Sequence, residues 1–177
     1  TKEAIQKGWF HTGDIGEITD DGFLKITDRK KDIIVTAGGK NISPQNIEQG
    51  IQNDTLFSQV VLIGDKKPYL VALIVPNKQE ILSYAEQEVI QASYDQLLCH
   101  EKIHQFIAER LKKQTEQLPS YSTIKYFTLL PQELTQAAGE LTPTLKVKRR
   151  VIMQKYHAQI EKLYQKGKNY KVPGTCG

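Results

Sequence analysis

Tryptophan and methionine occur once each in this 177-residue chain, and cysteine only twice, at Cys99 and Cys176. Two cysteines so far apart are no disulfide scaffold, and the pattern suits a reducing compartment. Long hydrophobic runs are missing: the longest, residues 70–75, has six residues, against about 20 needed to cross a bilayer. No signal-peptide pattern opens the sequence, which begins Thr1-Lys2-Glu3-Ala4. Absent too are G-x-x-x-x-G-K-[ST], G-x-G-x-x-G and G-x-S-x-G, so no P-loop, dinucleotide fingerprint or nucleophile elbow is expected.

What is present is an ordinary globular composition with 39% apolar residues. The net charge of +4 hides a split. Residues 1–140 carry 15 basic and 19 acidic side chains, whereas residues 141–177 carry nine basic ones against Glu161 alone. A basic end of this kind points either to an anionic partner or to a solvated helix face.

Periodicity places the elements. Asp21-Gly22 is a hairpin turn between residues 16–19 and 23–27. Residues 33–36 are β-branched, Gly38-Gly39 turns the chain, and Ser43-Pro44 opens a helix carrying Ile47 and Ile51 on its buried stripe. Strands are expected over 60–63, 69–75 and 124–130, and helices from Asn77, over 101–117 and over 150–166. Residues 131–143 read as a loop, mobile around Gly139. Hairpins mixed with helices give an α+β class: a small domain with an N-terminal β-hairpin, a three-stranded sheet and packed helices.

His100-Glu101-Lys102-Ile103-His104 matches H-E-x-x-H, but a catalytic zinc needs a third ligand and only His157 and scattered carboxylates are on offer. These histidines read as boundary residues of a helix, and no metal site is assigned. Three other segments carry more. Asp14 follows the turn Trp9-Phe10-His11-Thr12-Gly13, where a carboxylate can accept from the vicinal hydroxyls of a ribose or simply cap the turn. Asp28-Arg29-Lys30-Lys31-Asp32 is a charged joint between strands, followed by Thr36-Ala37-Gly38-Gly39-Lys40-Asn41-Ile42-Ser43-Pro44. Leu141-Thr142-Pro143-Thr144-Leu145-Lys146-Val147-Lys148-Arg149-Arg150 is a basic loop before a helix, and a lysine there is a point charge that can reach a phosphate and a carboxylate together.

In order and spacing these segments resemble the C-terminal portion of the adenylate-forming superfamily of acyl-CoA synthetases, luciferases and nonribosomal adenylation domains. The Thr-Pro-Thr-Leu-Lys form of the last motif is similar to that of the long-chain fatty acyl-CoA synthetases. The resemblance implies that residues 1–28 end a large N-terminal nucleotide-binding domain, that 29–171 form a mobile lid and that 172–177 are a flexible tail. It implies that Asp14 binds the ribose hydroxyls of ATP and that Arg29 contacts the ribose and phosphate side. Lys31 falls at the hinge, Gly38 and Gly39 in the loop lining the CoA tunnel, and Lys146 at the catalytic lysine, with Leu145 where the superfamily usually has glycine.

ATP, Mg2+ and CoA are the implied cofactors, and a fatty acid and the N-terminal domain of the same chain the implied partners. Nucleic acid is not expected. A cytoplasmic setting, with peripheral contact at the inner face of the membrane, goes with this reading. Alone, such a piece is expected to be inactive. Two alternatives stay open: an acyl-AMP ligase that loads a carrier protein, and a non-catalytic binding module of the same fold.

Overall fold

The computed structural model describes residues 5–6, 8–30 and 32–166. Two small antiparallel hairpins come first, β1 (Ile5–Gln6) with β2 (Trp9–Phe10) and β3 (Asp14–Ile18) with β4 (Leu24–Arg29). The expected turn joins the second pair: Gly22 has φ 82°, and its N–H donates to the Thr19 carbonyl at 2.8 Å. The strands run further than the 16–19 and 23–27 expectation, because pairing resumes beyond a bulge at Ile15/Gly16 and ends on Asp14↔Arg29. Trp9, Phe10, Ile18, Phe23, Leu24 and Ile26 are all exposed on these hairpins.

A third hairpin, β5 (Ile34–Val35) with β6 (Asn41–Ile42), leads into α1 (Pro44–Gln52), whose first residue is the proline expected there. The central sheet is β7 (Phe57–Ile63), β8 (Leu70–Pro76) and, after α2 (Lys78–Gln87), α3 (Tyr94–Leu97) and α4 (Glu101–Thr115), β9 (Ile124–Leu129). The strand order is β7-β8-β9, with the first pair antiparallel and the second parallel. The parallel pair requires the helical crossover that α2 to α4 supply.

Strand period 2 divides the apolar residues between two faces. Leu62, Leu70, Ala72 and Ile74 point to one core, closed by Ile47 and Ile51 of α1, Ile81 of α2 and Ile103 and Ile107 of α4. Val61, Ile63, Val71, Leu73 and Val75 point to the other, closed by Leu130, Leu134 and Leu141 and by the last helices. β8 is buried along its whole length, which is why residues 70–75 read as an unbroken apolar run.

The last helix differs from expectation. Residues 150–166 form two helices, α5 (Arg149–Lys155) and α6 (His157–Lys166), interrupted at Tyr156, whose φ of −104° and ψ of 21° leave the helical range. The stripe survives the break, with Ile152, Ile160 and Leu163 all buried. α6 is fastened to the sheet by the Tyr164 hydroxyl, which reaches the carbonyls of Ile63 and Tyr69 at 3.1 and 3.2 Å. No helix among the described residues is long and apolar enough to cross a membrane.

Candidate functional site

Lys146 stands at the end of a tight hairpin. Leu141 and Val147 form an antiparallel bridge at its base. Above it the Thr142 N–H donates to the Lys146 carbonyl at 2.8 Å, and the Leu145 N–H donates to the Thr142 carbonyl at 2.9 Å. The Thr142 hydroxyl adds a third tie, accepting from the Lys146 N–H at 3.0 Å. Pro143 presets φ for the turn, and Leu145 follows at φ 59°. That left-handed backbone is free to glycine but costs another residue roughly 1 kcal/mol. The position is thus one that geometry favours for glycine, and here an exposed leucine occupies it. The side chain of Lys146 is exposed.

The stretch before the hairpin is tied to its surroundings by Glu140. Glu140 is 1% exposed. Its Oε1 accepts from Lys155 Nζ and from the Tyr156 hydroxyl, both at 2.8 Å, and its Oε2 accepts from the Thr135 N–H at 2.9 Å. Its own carbonyl receives the Lys148 N–H at 2.8 Å, just beyond Lys146. Burial pushes the Glu140 carboxyl up, but Lys155, the Thr135 amide and Tyr156 outweigh it and hold the group below the usual carboxylate value. Burial and the facing carboxylate raise Tyr156. Tyr156 leaves the helical range at this contact, so one buried acid ties the turn at Thr135 to the break between α5 and α6.

The far side of the hairpin is held by Arg149. One terminal nitrogen donates to both oxygens of Glu48 at 2.7 and 2.8 Å, and the other donates to the Leu62 carbonyl at 2.7 Å. Glu48 Oε1 also accepts the Leu62 N–H at 2.7 Å. Leu62 lies on β7, the outer strand of the sheet, so the clamp occupies a residue's worth of open sheet edge. The guanidinium's planar fork, with donors on separate nitrogens, suits this double duty better than the single ammonium of a lysine. Arg149, one of four clustered bases, is thereby committed to holding α1, β7 and α5 together.

Lys146, Arg149, Glu48 and Asp32 line a surface groove of about 200 Å³ that also receives Leu145 and a row of glutamines from α1. Among the described residues, Asp14, Arg29, Gly38 and Gly39 do not line it. Asp14 and Arg29 are brought together instead, as cross-strand partners with Arg29 Nε at 2.8 Å from Asp14 Oδ1. The Asp14 N–H donates to the Thr12 hydroxyl at 3.1 Å, closing the turn that presents the carboxylate. Gly38 and Gly39 sit at the tip of the β5–β6 hairpin, Gly39 at φ 73°. Lys31, the expected hinge, and the expected tail over 172–177 lie outside the described residues.

The H-E-x-x-H histidines are engaged separately. His100 caps α4, its Nδ1 accepting from the Lys102 N–H at 3.2 Å, while His104 lies 2.8 Å from the Leu98 carbonyl and stacks on Phe127. Among the described residues no group of three or more His, Cys, Asp or Glu side chains could hold a metal ion.

Sequence reasoning missed Glu48, whose partner Arg149 is 101 residues away, and Glu140, whose partners lie 5 to 16 residues away with no periodic spacing to mark them. Only the isolation of Glu140, a single acid at the mouth of a basic stretch, hinted at it.

The body has three layers in an α+β arrangement and carries the exposed Lys146 on a hairpin braced from both sides. The model of the AMP-binding enzyme C-terminal domain family matches residues 31–168, and the chain belongs to that family. A long-chain-fatty-acid–CoA ligase of Mycobacterium tuberculosis is 41% identical over 168 residues, a stretch covering 94% of this chain and 28% of the relative. Long-chain-fatty-acid–CoA ligase 1 of Homo sapiens is 36% identical over 169 residues, covering 93% and 24%. The A domain of carboxylic acid reductase from Segniliparus rugosus, solved with AMP and a co-purified carboxylic acid, shares the fold with a TM-score of 0.78 at 22% identity, covering 94% of this chain and 25% of that one. The chain thus spans about a quarter of the length of the curated relatives it matches.

Proposed function

We propose that this chain is the C-terminal part of an AMP-forming long-chain fatty acid–CoA ligase, with residues 29–171 as its lid and 1–28 as the end of the larger nucleotide-binding domain. The observation that carries the reading is the placement of Lys146, exposed at the end of a hairpin whose two roots are fixed by buried charges. The exposed Trp9, Phe10, Ile18, Phe23, Leu24 and Ile26 support the domain division, because such a surface fits one covered by preceding structure.

In the first half-reaction a fatty carboxylate oxygen attacks the α-phosphorus of ATP and the bond to pyrophosphate breaks. Lys146 neutralises the charge gathered on the carboxylate and α-phosphate oxygens. Asp14 accepts from the ribose hydroxyls and Arg29 faces the phosphate side, an arrangement their ion pair already orients. In the second half-reaction the lid turns about Lys31, Lys146 withdraws, and Gly38 and Gly39 face the CoA that takes the acyl group. The described residues offer Mg2+ no ligand set, so nothing in this reading is derived through it.

The test is the full-length ligase carrying Lys146→Ala. ATP–pyrophosphate exchange should fall about 100-fold, and at least tenfold more than thioester formation from supplied acyl-adenylate. Equal losses in the two assays would sink the reading.

A further inference from the structure

The glycine hairpin and the lysine hairpin are the same construction. In one, the Thr36 N–H donates to the Lys40 carbonyl at 3.0 Å and the Gly39 N–H donates to the Thr36 carbonyl at 2.9 Å. In the other, Thr142, Lys146 and Leu145 make the corresponding bonds at 2.8 and 2.9 Å. Each threonine hydroxyl accepts the N–H of its lysine, at 3.2 Å for Lys40 and 3.0 Å for Lys146. In each the residue before the lysine is left-handed, φ 73° at Gly39 and 59° at Leu145. Thr-x-x-(left-handed residue)-Lys therefore occurs twice, and Lys40 holds in the first copy the place that Lys146 holds in the second.

Lys40 is exposed and accessible. A Cβ built at Gly39 would meet nothing within 4 Å, and one at Gly38 only the Thr36 hydroxyl at 3.9 Å, so the tip of this turn is open. Its Nζ lies 5.7 Å from the ring centre of Tyr121. That contact steadies the stem without neutralising the charge.

We propose that Lys40 is a second delivered cation, contacting a phosphate oxyanion in thioester formation as Lys146 does in adenylation. The inference rests on the two-step reading above. In that step the CoA sulfur bonds to the acyl carbon and the bond from that carbon to the adenylate oxygen breaks. The electron pair leaves with AMP, whose phosphate gains negative charge, and the thiol proton passes to water. Two phosphates can meet Lys40 there, that of the departing AMP and those of CoA.

The experiment uses the full-length ligase with Lys40→Ala, Lys40→Met and Lys40→Arg, and measures thioester formation from supplied acyl-adenylate beside ATP–pyrophosphate exchange. Ala and Met should each lower thioester formation at least tenfold more than exchange, and Arg should keep most of the rate. Pantetheine, a thiol without CoA's phosphates, separates the sources. A Lys40 dependence that persists with pantetheine assigns the contact to AMP, and one that vanishes assigns it to CoA. Met retaining the rate would mean that Lys40 only packs on Tyr121, and Ala within twofold of the parent would mean that it has no role. Either overturns the proposal. Lys146→Ala in the same series keeps the two readings apart. If it lowers exchange while Lys40→Ala leaves thioester formation intact, only the present inference fails; if exchange is untouched, both fail.

Discussion

Arg149 grips both carboxylate oxygens of Glu48 through a single nitrogen, three residues beyond Lys146. The Glu48 side chain is 8% exposed and that of Arg149 20%, so removing either strands a charge with little water to receive it. Arg149→Ala should lower the unfolding free energy by about 3 kcal/mol in urea titrations. Arg149→Lys should recover less than half of that, because a single ammonium lacks the fork whose two nitrogens reach Glu48 and the Leu62 carbonyl separately. Full recovery by lysine would show that charge, not the fork, is what matters there.

Lys146 and Lys148 flank one residue, and charge does not choose between them. Their backbones differ: the Lys148 N–H is bound to the Glu140 carbonyl and Lys148 is the N-cap of α5, whereas Lys146 follows the left-handed residue at the hairpin's end. In the full-length ligase Lys148→Ala should cost less than fivefold in ATP–pyrophosphate exchange where Lys146→Ala costs about 100-fold. The reverse order would shift the site by two residues.

Leu145 occupies a backbone that suits glycine. Leu145→Gly relieves roughly 1 kcal/mol of strain but adds a similar entropy loss on folding, so thermal stability should change by less than about 1 kcal/mol. Leu145→Val, β-branched at the same φ, should instead destabilise by about 1–2 kcal/mol. A Val variant as stable as the parent would show that the turn relaxes out of the left-handed region.

Asp54 and Glu140 set the response to acid. Asp54 takes Arg110 on both oxygens, at 2.6 and 2.7 Å, and accepts the Leu56 N–H at 3.0 Å. Arg110 holds its carboxyl below the usual value against the effect of burial. A folded-state pKa below the unfolded one means that the stabilisation is complete above the unfolded value, about 4, and is lost as pH falls through the folded value. The unfolding midpoint should therefore hold between pH 7 and about 5 and drop below about 4. Asp54→Asn should reduce stability at pH 7 by about 2–4 kcal/mol and make the acid drop shallower. An unchanged acid drop in that variant would remove Asp54 from the account.

The central strand and the long helix were legible because their signals are local. β8 is apolar throughout, and α4 repeats Ile103, Ile107 and Leu111 on one face. The break at Tyr156 was not, because the stripe of Ile152, Ile160 and Leu163 runs through it and Glu140, which Tyr156 meets there, lies in another segment. α3 is four residues long, too short to show a period, although its Ser93–Gln96 capping box can be read from the spacing. In the site, Asp14, Arg29 and Lys146 stood out by motif. Their supports did not, since Arg149 finds Glu48 and Leu62 only after the sheet has formed.

The two threonine–lysine hairpins belong to opposite sides of one sheet. Ile34 and Ile42, flanking the glycine hairpin, are buried in the core under α1 to α4, whereas Leu141 and Val147, flanking the lysine hairpin, pack into the core under α5 and α6. The single sheet β7-β8-β9 lies between those two cores. Bending a loop cannot carry one hairpin to the other's place; only reorienting the whole body can. On the two-step reading proposed above, adenylation and thioester formation would then call on different faces of this body.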